Sequence, residues 1–301
     1  MPDQPDTTTN APAVGFTPTD TLLVVMVLVW GLNYIVLKAV LREMSPFAFN
    51  AVRFAIAAVS LMLIAALLKS ARPSAADMRR LALLGLLGNT IYQFAFIKGV
   101  ALTRAGNAAL IMAAVPVQTA VLSHLHGLER LRPRDAAGLA LSTIGIVTIV
   151  AGSGAGVTFG GNVLGDLLVF GSTSCWSLYI IGTKPLADRY GAVTATAWTM
   201  GFGALPLLLL SLPAVAAQNW ASVSAAAWYG VVGSALGALV LCYLIYLRGV
   251  RRLGPSRTAM YSNFTPVVVA LAAWPLLGET PTLWQAAGAA GIFGGIFVTR
   301  T

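Results

Sequence analysis

The sequence predicts an all-α membrane protein of ten transmembrane helices, arranged as two five-helix repeats of inverted topology. Three observations carry that prediction. Apolar residues make up 57% of the 301-residue chain and charged residues 10%, whereas a soluble domain carries about 25% charged residues. Ten apolar stretches recur, each near the roughly 20 residues that a bilayer core demands of a helix. The chain also repeats itself: Pro116-Val117, Glu129, Ala136, Gly138 and Gly145 return 150 residues later as Pro266-Val267, Glu279, Ala286, Gly288 and Gly295.

The elements follow in order. Residues 1–20 hold no Lys or Arg and are rich in Pro, Thr and Asp. They lack the basic start of a secretory signal and read as a disordered cytoplasmic tail. The first repeat, 21–152, is expected to span at 21–41, 46–68, 79–99, 104–125 and 134–152. The second, 164–301, is expected to span at 164–184, 191–212, 226–247, 255–277 and 282–299. Ser45-Pro46, the polar loop 69–77, Arg130–Pro133, the Gly-rich 152–161 and 218–224 separate these stretches, and none is long enough for a soluble domain.

With the N-terminus inside, 14 of the 19 Lys and Arg fall in inner segments. The bias predicts that both termini are cytoplasmic. It also accounts for the net charge of +9, so no nucleic-acid partner is implied; the partners expected are the lipid bilayer and a small-molecule substrate. Cys175 and Cys242 lie in apolar runs and read as small buried hydrophobes, neither a disulfide nor a metal site.

The repeat extends further. Trp30, Leu32 and Lys38 match Trp176, Leu178 and Lys184 at an offset of 146, and Gly99-Val100 matches Gly249-Val250 at 150. Gly85 and Gly88 match Gly230 and Gly233 at 145, which places an insertion of about five residues within the eighth helix. Five spans per half is an odd number, so the halves enter the membrane from opposite sides. Inverted repeats are the signature of transporters that alternate access around a midplane site; channels and scaffolds can also be duplicated.

Polar side chains within spans are costly and tend to face the bundle interior. Helical spacing groups Trp30, Asn33 and Tyr34 on the first helix and Asn89, Tyr92, Gln93 and Phe96 on the third. Asn107 and Gln118 share a side of the fourth helix, Ser172, Trp176 and Tyr179 a side of the sixth, and Tyr243 and Tyr246 a side of the eighth. Tyr261, Ser262 and Asn263 precede Pro266 on the ninth. Together they suggest a substrate-binding cavity of aromatic rings with amide and hydroxyl groups, suited to small neutral or zwitterionic solutes. Trp30 and Tyr246 could equally be interfacial aromatics, and Asn107 and Ser262 could simply bond neighbouring helices.

Arg53 is the one charge clearly inside a span. It could snorkel to the outer interface, pair structurally, or attract a substrate carboxylate; snorkelling or structural pairing is favoured. Glu129 and Glu279 end their helices at opposite faces and read as structural charges that cap the next helix or pair with a cation. Pro116 and Pro266 should each bend a span and act as hinges. Gly138, Gly145 and Gly152 on the fifth helix, with Gly288, Gly291 and Gly295 on the tenth, predict close packing of those two helices.

In their order and spacing, Trp30-Gly31-Leu32-Asn33, Arg53, Pro116, Glu129, Gly165-Asp166, Cys175-Trp176, Pro266 and Gly278-Glu279 resemble the drug/metabolite transporter superfamily with paired EamA-type domains. The resemblance runs from about Leu22 to Thr299, and is strongest to the YddG-type exporters of amino acids and aromatic metabolites. Leu128 departs from it, since glycine is more usual before that glutamate. The resemblance implies a multi-pass protein of the bacterial inner (cytoplasmic) membrane. It further implies export of small metabolites, amino acids first among them, by alternating access through a central cavity.

The ten carboxylates fall in tails, loops or helix ends, and His124 and His126 at the inner end of the fourth helix. No proton relay is visible within a span, so transport is expected to be facilitative or weakly coupled. No cofactor and no metal is expected. An enzyme is disfavoured, because no HExxH, acid pair or Cys/His cluster is present. A channel would show rings of charge or a filter loop, and a nucleotide-sugar carrier a basic cavity. Exporters of nucleosides or drugs stay open, as does the choice between monomer and homodimer.

Overall fold

The computed structural model describes residues 17–102, 111–112, 114–130, 132–152, 163–265, 267–268, 271–272 and 283–300. Every regular element among them is helical. Among the described residues, five helical segments are long and apolar enough to cross a membrane: Pro18–Leu37, Pro46–Leu67, Ala75–Gly99, Ala192–Ala217 and Ala225–Leu253.

Helix α1 (Pro18–Val40) starts three residues earlier than expected. Thr17 accepts from the Asp20 amide while Asp20 accepts from the Thr17 amide, a capping box with proline in the first turn. Thr17–Asp20, expected in the tail, therefore form an ordered helix start. Helix α2 (Pro46–Leu67) is capped by Ser45. The third transmembrane segment consists of α3 (Ala75–Gly85), a π-helical turn over Leu86–Ile91, and α4 (Tyr92–Leu102). Helices α5 (Val115–Leu125) and α6 (Pro133–Gly152) complete the first half.

The second half repeats the plan. It comprises α7 (Val163–Tyr190), α8 (Ala192–Ala217), then α9 (Ala225–Gly233), a π turn over Ser234–Leu241 and α10 (Cys242–Leu253). Helix α11 (Pro255–Tyr261) runs into a 3₁₀ turn, Ser262–Phe264, and α12 (Leu283–Arg300) closes the chain.

This register corrects the expected insertion. The N-caps Ser74 and Ser224 stand 150 residues apart, as do Gly99 and Gly249, so the segment Ala225–Leu253 carries no extra residues. The N-caps of α2 and α8, Ser45 and Gly191, stand 146 apart. The four additional residues lie in α8, which has 26 residues against 22 in α2. Gly85 and Gly88 therefore correspond to Ala235 and Ala238; their match to Gly230 and Gly233 is a coincidence of glycine spacing.

Each π segment packs on the second helix of the opposite half, Leu86–Ile91 on α8 and Ser234–Leu241 on α2. The first crossing is tight: a Cβ on Gly203 would lie 2.4 Å from the Gly85 carbonyl oxygen, and one on Gly85 2.3 Å from that of Thr199. Helices α6 and α12 meet as their glycines predict, since a Cβ on Gly145 would lie 2.5 Å from the Gly288 carbonyl oxygen.

Polar contacts hold the two ends of the bundle. At one end Arg189 pairs with Asp77 at 2.7 Å and Arg251 with Asp188 at 3.5 Å, and Tyr261 donates to Asp20 at 2.5 Å. At the other, Ser224 donates through its amide and hydroxyl to Glu43, and Gln218 bridges Ser45 and the Glu43 carbonyl.

Candidate functional site

The centre of the molecule is an aromatic cluster built around Trp176 of α7. Its ring centroid lies 5.3 Å from Tyr92, 5.3 Å from Tyr179, 5.4 Å from Tyr243 and 5.8 Å from Tyr246. Tyr92 stacks on Phe96, and Tyr246 meets Trp30 at 5.7 Å. These side chains come from α4, α7, α10 and α1, so both halves contribute. Trp176, Tyr179, Tyr243 and Tyr246 are buried, while Tyr92 and Trp30 are half-buried.

The backbone explains why these rings converge. A π turn accommodates an extra residue and misaligns the helix ladder, which opens carbonyls to side-chain donors and re-aims the residues that follow. In the second half, the Trp30 indole donates to the Ala238 carbonyl inside the π segment at 2.9 Å, which fixes that ring against Tyr246. In the first half, Asn89 donates to the Thr199 carbonyl at 3.2 Å and Thr90 to that of Gly203 at 2.7 Å.

Thr199 links this layer to the cluster. Its hydroxyl donates to the Ala195 carbonyl at 2.8 Å, so the Tyr179 hydroxyl, 3.2 Å away, is the donor in their contact. No spacing in the sequence singles out Thr199, a hydroxyl within an apolar helix.

Arg53 is buried on α2. Its Nη1 donates to Ser234 at 3.2 Å, and its guanidinium carbon lies 5.1 Å from the Phe49 ring and 5.7 Å from Phe54. Snorkelling is thereby excluded, and among the described residues no carboxylate reaches ion-pair distance.

Of the residues expected to line a cavity, Tyr92, Tyr179 and Tyr243 meet Trp176 directly, and Trp30 joins them through Tyr246. Gln93 is buried on the same helix as Tyr92. Among the described residues, Asn33 Oδ1, both amide atoms of Gln118, and Asn263 Nδ2 are buried without a hydrogen-bond partner. Tyr261 stands apart, because its hydroxyl is committed to Asp20. Tyr246, equally readable as an interfacial aromatic, is a buried member of the cluster. The Tyr34 side chain, and Asn107, Pro266 and Glu279 entirely, lie outside the described residues.

Pro116 sits in the first turn of α5, where a proline's missing amide costs no hydrogen bond; residues 103–110 and 113, which precede it, lie outside the described residues. Glu129 caps the start of α11 and not the next helix: the Ser256 amide donates to it at 3.2 Å and the Ser256 hydroxyl also donates to it. Gly254 must be glycine for two reasons, a φ of +91° and a Cβ position that would overlap the Glu129 carboxylate. Burial pushes the Glu129 carboxyl above its ordinary value of 4.5, and the bonds from Ser256 partly oppose the shift.

Crossing helices of two repeats around an aromatic centre define a membrane transporter of duplicated design. The chain belongs to the EamA-like transporter family, within the drug/metabolite transporter superfamily, and matches its pattern twice, at residues 17–151 and 163–301. A "probable amino-acid metabolite efflux pump" of Salmonella typhimurium is 30% identical over 92% of this chain and 93% of its own. A "probable terminal-alkyne amino-acid exporter" of Streptantibioticus cattleyicolor is 28% identical over 92% of each chain. The uncharacterized transporter YyaM of Bacillus subtilis is 26% identical over 86% of each. A solved crystal structure shares the fold with a TM-score of 0.79 and 21% identity, covering 93% of this chain and 96% of that one.

Proposed function

We propose that this transporter exports small amino-acid-like metabolites across the bacterial inner membrane by alternating access. The observation that carries the reading is the Trp176 cluster, in which rings from both halves converge beside the two π segments. Rocking of one half against the other changes which side of the membrane reaches such a centre. Aromatic faces with amide and hydroxyl groups suit a solute that has a small apolar body and polar ends. Two relatives are named for amino acids or amino-acid metabolites, which favours that class over nucleosides or drugs.

Ten spans, with both termini cytoplasmic, complete the reading. The cationic end of the bundle, with Arg189 and Arg251 in ion pairs, supports that orientation through the charge bias. Pro116, in the first turn of α5, and its sequence counterpart Pro266 serve as hinges beside the cavity. Asp20, Asp77, Glu129 and Asp188 are all engaged in contacts at the bundle end, which supports a facilitative or weakly coupled mechanism. The test is counterflow in proteoliposomes loaded with mixed amino acids and probed with labelled threonine, methionine and phenylalanine. Exchange that disappears in a folded Tyr92→Ala variant is expected. Absence of exchange with every amino acid would refute the substrate class, and concentrative uptake driven by a pH gradient alone would refute weak coupling.

A further inference from the structure

Arg53 is a buried charge for which the transport reading has as yet no use. It lies about two turns into α2 from the Ser45 cap and is 7% exposed. Among the described residues its Nη1 has one neutral acceptor, Ser234, and its Nε has none. A guanidinium carries five donors in a planar fork, and taking it out of water is costly unless an opposite charge and further hydrogen bonds compensate. The Phe49 and Phe54 rings supply attraction to its face but no acceptor for its edge.

A purely architectural role is the plain alternative, and the pseudo-symmetry of the molecule argues against it. Counted from the N-caps of α2 and α8, the position equivalent to Arg53 is Thr199. Thr199 joins α8 to the first π segment with a neutral carbonyl and hydroxyl, accepting from Asn89 and Tyr179. The same crossing in the same fold is thus braced without a charge. The acceptor of the guanidinium, Ser234, opens the π segment that leads directly into α10, the helix whose Tyr243 and Tyr246 meet the Trp176 ring.

We propose that Arg53 is the carboxylate-binding element of the cavity. Its free edge receives the two oxygens of a substrate carboxylate, in the bidentate geometry for which a guanidinium is shaped. The apolar part of the solute then lies against the rings around Trp176. This assignment rests on the export reading and narrows it: the solutes carried bear a carboxylate, and the matching amines are poor substrates.

The experiment compares labelled phenylalanine with labelled phenethylamine in counterflow, using the wild type, Arg53→Lys and Arg53→Met, with thermal unfolding in detergent to establish folding. The wild type is expected to exchange phenylalanine at least about tenfold better than phenethylamine. Arg53→Met should lower phenylalanine exchange about tenfold or more, mainly through KM, and leave the amine unchanged; Arg53→Lys should recover part of the loss. Should Arg53→Met fail to fold, the wild-type preference and the Lys variant decide the matter. Equal exchange of acid and amine by the wild type overturns this proposal and leaves the exporter standing. A folded Arg53→Met with unchanged KM does the same. No exchange of any amino acid overturns the substrate class on which it rests, and this assignment with it.

Discussion

In the first half, the segment Ala75–Leu102 places Asn89, Tyr92 and Gln93 where the second half, in Ala225–Leu253, places Leu239, Cys242 and Tyr243. Both segments carry a π turn, and both lay it on the second helix of the other half. The backbone device is common to the repeats, while the side chains on it have diverged. On one side neutral amides and hydroxyls hold the crossing together. On the other a buried arginine meets a serine, and an indole reaches the widened turn. Duplication supplied the crossing, and divergence gave the centre two unlike poles. A solute with two unlike ends fits such a centre better than a symmetric one would.

Trp30 and Trp176 are equivalent by position, yet only Trp176 stands at the hub of the cluster. The strongest way to break the comparison is to truncate that hub. Trp176→Ala should abolish exchange and cost about 3–5 kcal/mol of stability, while Trp30→Ala, at a half-buried ring, should cost clearly less; thermal unfolding and counterflow read both. Next comes the glycine crossing. Gly203→Ala forces a Cβ to within 2.4 Å of the Gly85 carbonyl oxygen, and overpacking of this kind costs about 1–3 kcal/mol. Gly233→Ala, with nothing within 4 Å of its Cβ, should be neutral or stabilising by up to about 1 kcal/mol. A smaller effect belongs to Trp30→Phe, which deletes the donor to Ala238 and should cost about 1 kcal/mol, read by thermal unfolding.

The smallest effect lies at the bundle end. Burial raises the Glu129 carboxyl above 4.5, so the folded protein favours its protonated form. The stabilisation from that group is complete below 4.5 and is lost as pH rises through the higher, folded-state value. Glu129→Gln should therefore flatten the fall of the melting temperature from about pH 4.5 upward. An unchanged pH profile would show that the titration is not felt.

Much of the helix order, and the Trp30/Trp176 correspondence, could be read from the residues, because apolar length and repeated landmarks are local patterns. The π turns could not, since a shift from i→i+4 to i→i+5 bonding leaves no mark in side-chain periodicity. Gly85 and Gly88 misled the register because pairs of glycines three apart recur in close-packed helices. For the site, the stripes on the third and sixth helices led to Tyr92, Trp176 and Tyr179. Arg53 resisted because its acceptor, Ser234, lies 181 residues further along the chain. Glu129 lies in the bend after α5, which ends at Leu125, and the Ser256 it bonds at the start of α11 is 127 residues away.

The four surplus residues of α8 have a consequence for the protein in its lipid. At 1.5 Å per residue, α8 is about 39 Å long and α2 about 33 Å. The longer helix must tilt more, or draw thicker lipid around it, whereas its counterpart fits an average bilayer nearly upright. Membrane thickness therefore acts unequally on the two halves, and a change in acyl-chain length should bias the rocking motion in one direction.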